Sequence, residues 1–93
     1  MFGKHDIKGG IKMKLNEWND LIIDGNKICD MLKAKGYNVE LMPYTIYDGR
    51  KGLSMIVLDA FGDFFKVYYS GIDTPEIMKA TMYMNMNRIL KEC

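Results

Sequence analysis

Histidine and cysteine are scarce in this chain, and long apolar runs are missing. The single histidine, His5, lies in a glycine-loosened opening stretch. It leaves Ser54 and Ser70 without a base, which argues against a Ser/His arrangement. Cys29 and Cys93 are the only cysteines. Two thiols do not make a disulfide framework, so both are read as reduced, Cys29 buried on a helix stripe and Cys93 on a fraying end. No apolar run approaches the ~18–20 residues of a membrane span. The opening "MFGKHDIKGG" lacks the apolar stretch of a secretory signal. The expectation is a cytoplasmic protein with no membrane partner. Phosphate loops, dinucleotide fingerprints and zinc spacings are also missing. Asp59 and Asp63 could be read as a carboxylate pair, but strand-end aspartates serve turns more often than catalysis. The chain is expected not to be an enzyme, with no catalytic residue, metal or cofactor.

What is present is one domain's worth of apolar residues, 48% of the chain, with both signs of charge. The net charge is +1. Residues 1–14 hold Lys4, Lys8, Lys12 and Lys14 against Asp6, which is +3, so the other 79 residues carry −2. A slightly acidic body is poor in the basic face that phosphate neutralisation requires. Lysine outnumbers arginine eleven to two, and Ile, Asn, Tyr and Met are frequent, which suggests an AT-rich genome.

Residues 1–13 read as a flexible leader and 14–93 as a single α+β domain; Met13 could be an internal start. A first helix is predicted over Asn16–Lys35, with Asn16 as N-cap and Gly36 just past its end. Leu15, Trp18, Ile22, Gly25, Cys29 and Leu32 give its stripe the alternating three-four spacing of a core-facing surface. Gly25 falls on that stripe, and close packing is favoured there over a kink because the period keeps its phase. Three strands follow. Pro43 marks the first as an edge strand or a bulged one. "DGRKG" makes a hairpin. "LSMIVLDA" is apolar on both parities, as a central strand would be. In the third strand Phe65, Val67 and Tyr69 share one parity, and Phe64 and Tyr68 the other. "DTPE" then starts a second helix, with Thr74 as N-cap and Pro75 as the first helical residue, running to about Lys91. The order is α-β-β-β-α, a three-stranded antiparallel meander with both helices packed on one face.

The closing "MKATMYMNMNRILKEC" invites a soft-metal reading, because Met82, Met84 and Met86 alternate. In a helix, residues two apart point in nearly opposite directions. Met78, Met82, Met86, Ile89, Leu90 and Tyr83 then form one core stripe. Met84 falls on the far side with Ile77 and Ala80, as a small contact patch or one covered by another segment.

Two helices can cover only one face of a three-stranded sheet, yet Ile56 and Leu58 stand opposite Met55 and Val57. The leader, a second copy or another protein could cover the second face; a partner or self-association is favoured. The candidate partner-binding residues are Tyr44, Tyr47, Arg50, Lys51, Tyr68, Ile77 and Met84. The element order is similar to that of double-stranded RNA-binding domains, a family that grips phosphates with lysines opening its last helix. Here "GIDTPEIMK" offers Asp73 and Glu76 with only Lys79 positive, so the resemblance covers element order alone. Small, lysine-rich domains without an active site are common among phage and mobile-element products. In size and style the chain resembles inhibitors of host or defence proteins, anti-CRISPRs included. The first expectation is therefore a non-catalytic protein-binding inhibitor or regulator, forming a homodimer or docking on another protein. The alternative is a nucleic-acid or nucleotide binder using Arg50, Lys51, the basic leader and stacking tyrosines.

Overall fold

The computed structural model describes residues 13–93. The leader expected over residues 1–13, with His5, lies outside the described residues apart from Met13, which packs against the core. The elements are α1 (Leu15–Ala34), β1 (Asn38–Thr45), β2 (Lys51–Leu58), β3 (Phe64–Tyr69) and α2 (Pro75–Glu92). The strands form an antiparallel sheet in the order β1-β2-β3, the α+β meander expected.

Local chemistry sets the ends of these elements. α1 begins after Lys14 rather than at Asn16. The Glu17 carboxylate accepts the Lys14 backbone N–H at 3.0 Å, which satisfies a donor that the helix cannot. A carboxylate in the first turn is also favoured by the helix dipole, so it outcompetes the Asn16 amide as the signal of where the helix starts. α1 ends in a Schellman turn: Tyr37 N–H donates to Leu32 C=O and Gly36 N–H to Lys33 C=O. Gly36 sits at φ +96°, where only glycine is unstrained. α2 begins at Pro75 with the Thr74 hydroxyl accepting the Ile77 N–H, as the sequence predicts.

The core lies between the helices and one sheet face. Leu21, Ile28, Cys29 and Leu32 of α1 and Met78, Met82 and Ile89 of α2 pack against Val39, Leu53, Met55, Val57 and Tyr68. Gly25 lets the helix approach β1: a Cβ there would lie 2.8 Å from Leu41 Cδ1. The glycine therefore marks close packing, and α1 runs through it unbroken. Asn85 is also buried on the α2 stripe, where the sequence suggested only apolar residues; its Nδ2 donates to Tyr69 C=O at 3.0 Å. Leu90, expected on that stripe, lies at its exposed margin. Cys93 is exposed but stays docked, its N–H on Ile89 C=O and its Sγ 3.5 Å from Tyr68 Oη.

Candidate interaction surface

Strand register decides which side chains stand on the far side of the sheet. Pairing runs unbroken through Pro43, so the proline marks an edge strand, as one of the two expectations had it, without a bulge. The bulge lies in β3 instead: Val57 pairs with Lys66 and Leu58 with Phe64, which leaves Phe65 as the extra residue. That one residue switches the parity of Phe64. Strict alternation would put it beside Tyr68 in the core; the bulge turns it to the outer face with Leu58.

The outer face therefore carries Met42 and Tyr44 from β1, Ile56 and Leu58 from β2, and Phe64, Val67 and Tyr69 from β3. Glu40 is the only charged strand residue among them. Met42, Phe64 and Tyr69 are exposed, and Ile56, Leu58 and Val67 half-buried. Among the described residues, both helices lie on the opposite face and no element covers this one. Part of the surface is organised in advance. The Tyr44 ring reaches across the neighbouring strand over Gly52, where a Cβ would lie 2.5 Å from the ring. It meets Tyr69 edge-on, with ring centroids 5.4 Å apart, a favoured aromatic geometry. Beneath them Ser54 is buried, its hydroxyl donating to Met42 C=O at 2.8 Å. The polar atom in this apolar surface is thus already satisfied.

The seven sequence candidates fall in five places. Tyr44 belongs to the outer face. Tyr47 projects from the β1–β2 hairpin, 102% exposed. Arg50 folds back on that turn: its Nε lies 2.8 Å from Asp48 Oδ2, while Asp48 Oδ1 accepts the Arg50 N–H. The N–H bond first, then the guanidinium, holds the Asp48 carboxyl below its ordinary range. Lys51 lies on the helix side, its Nζ 5.6 Å from the centre of the Trp18 ring. Ile77 and Met84 are exposed on α2, away from the core stripe as expected.

Tyr68 is a correction. It pairs with Met55 and is buried under the helices, so it cannot meet a partner. Its hydroxyl donates to Glu92 Oε1 at 2.9 Å. Burial, then bonds to Cys93 and Glu92, raise its pKa well above that of an ordinary phenol. Met42, Val67 and Tyr69 belong to the surface but were not among the candidates. Alternation within each strand does not say which parity faces outward; only the pairing between strands does.

Other features offer less chemistry. A cleft of about 490 Å³ opens between the start of α1, the hairpin and the β3–α2 loop, lined by Trp18, Arg50, Lys51, Asp48 and Asp73 among others. Two cations face two carboxylates there, leaving no net sign. Asp59 serves its turn: one carboxylate oxygen accepts the N–H groups of Phe61 and Asp63. Lys79, the one lysine opening α2, pairs with Asp24 of α1 at 3.3 Å. Burial first, helped by the Asp30 and Glu40 carboxylates and opposed by Lys33, pushes the Cys29 thiol up to about 11. Among the described residues no His, Cys, Asp and Glu side chains form a metal-sized group of three or more, and no helix is long and apolar enough to cross a membrane. Compared with known proteins, the chain matches no family model, no curated protein and no solved structure.

Proposed function

We propose that this protein is a small non-catalytic binding module that acts by docking its outer sheet face on another protein surface. The observation that supports this reading is the uncovered face itself. Seven apolar or aromatic side chains from three strands stand there with one peripheral charge. Large contiguous apolar patches on small domains usually mark interaction sites. Tyr44 and Tyr69 are already packed against each other, so little side-chain freedom is lost on binding. A regulator or inhibitor that occludes its target needs no more than such a surface. The nucleic-acid reading has less support, because Arg50 is neutralised by Asp48, Lys79 by Asp24, and Lys51 lies over Trp18.

The test is affinity capture from the native source with three chains: wild type, Val67→Lys on the outer face, and Arg50→Ala at the hairpin. A partner retained by wild type and Arg50→Ala but lost by Val67→Lys supports the reading. Capture that survives Val67→Lys and fails with Arg50→Ala moves the site to the hairpin and contradicts it.

A further inference from the structure

A sheet can be joined at its edges as well as on its faces, because unpaired backbone groups there are a template for any extended chain. We infer that both edges of this sheet are closed to strand addition, β1 by Pro43 and β3 by Phe65 and Asn85, so that a partner must dock through side chains rather than as an added strand. The inference goes beyond the docking reading above and stands whether or not the outer face has a partner.

The hydrogen-bond phase of the ladder shows which groups point outward. Ile46 N–H donates to Arg50 C=O at 3.0 Å. In an antiparallel pair such bonded positions alternate with unbonded ones. Counting back along the register, Tyr44, Met42, Glu40 and Asn38 bond to β2, while Thr45, Pro43, Leu41 and Val39 turn their backbone groups to the outer edge. Pro43 therefore stands where a donor to an incoming strand would be. It has no N–H to give, and its ring fills the space that an incoming carbonyl would take. A proline at Met42 or Tyr44 would instead break a bond to β2. The outward row is thus split at its middle, with Val39 and Leu41 on one side of the proline and Thr45 on the other.

The β3 edge is closed differently. Ser70 N–H donates to Leu53 C=O at 2.8 Å, so Tyr68 and Lys66 are the bonded positions, and Tyr69 and Val67 face the outer edge. Asn85 of α2 agrees with that phase: its buried amide donates to Tyr69 C=O at 3.0 Å. The bond gives a polar residue on a core stripe its reason, since it takes up an acceptor that an added strand would need. At the other end the extra residue Phe65 breaks the regular spacing of the edge. Val67 alone lies between the two, too short a run for a strand to pair with. Among the described residues no strand pairs with the outer edge of either β1 or β3.

The experiment is amide-resolved hydrogen exchange with sedimentation velocity alongside, on residues 1–93 and on Pro43→Thr, from ~1 µM to ~1 mM, a range spanning weak association. Threonine suits a strand and restores the outward N–H. In wild type the Leu41 and Thr45 amides should exchange at least tenfold faster than those of Met42 and Tyr44. This arm tests the phase without any substitution. In Pro43→Thr the outward row is continuous, and β1 of a second copy is the strand at hand. The variant should self-associate at least tenfold more tightly than wild type, with Leu41 and Thr45 gaining protection as concentration rises. Protection of Leu41 and Thr45 in dilute wild type overturns the proposal, because something then already pairs with the edge. A variant whose edge amides stay unprotected up to ~1 mM also overturns it. So does one that associates without protecting them, because another surface then holds it.

Discussion

Single atoms decide what several positions tolerate. At Gly25 two effects of known size compete. Alanine would gain about 1 kcal/mol of helix propensity, but its Cβ would meet Leu41 Cδ1 at 2.8 Å. The Leu41 side-chain end can rotate away, so Gly25→Ala is expected to fall within about 1 kcal/mol of wild type. Gly25→Leu has nowhere to go and should cost about 2–3 kcal/mol or more by overpacking. Urea denaturation of both variants checks this; a stabilising Gly25→Leu would contradict the packing. Thiol chemistry gives a second residue-scale prediction. Cys29 is buried with its pKa raised to about 11, whereas Cys93 is exposed. At neutral pH a thiol reagent should titrate Cys93 alone in the folded protein and both cysteines in denaturant. Rapid labelling of Cys29 under native conditions would show that the core opens.

Secondary-structure elements hold together through their ends. The last turn of α2 is tied to β3 by Glu92, which accepts from Tyr68 Oη at 2.9 Å and from Lys66 Nζ at 3.2 Å. Those bonds, Tyr68's first, lower the Glu92 pKa. The folded state thus holds Glu92 ionised more firmly than the unfolded chain does. Its contribution is complete above the unfolded value of ~4.3 and is lost as pH falls through the lower folded value. The Tyr68 ring resonances should titrate in that acid window and not in Glu92→Gln. Titration at or above ~4.3 would contradict the tie. The ends also show what could be read beforehand. Gly36, Thr74–Pro75 and Pro43 are local signals, and each was readable in the sequence. Lys14 was not, because the capping group is the Glu17 side chain reaching back. Phe65 was not either, since a bulge exists only relative to the strand it faces. The same holds for Tyr68, whose assignment to a binding surface depended on which parity faced outward.

The whole molecule is a two-layer fold with one layer missing on the outer side of its sheet, among the described residues. That imbalance was readable in the apolar doubling of β2, because two helices cannot cover two faces. The members of the surface emerged only when three strands were set in register. The central claim is that contacts form on this face rather than at the hairpin or on α2. Methyl-resolved NMR during titration with an apolar dye tests it most directly, because each candidate surface carries its own methyl probes. The prediction is shifts confined to Met42, Ile56, Leu58 and Val67 as dye is added, with Ile77 and Met84 unmoved. Shifts centred on Ile77 and Met84, or none anywhere in the titration, would contradict it.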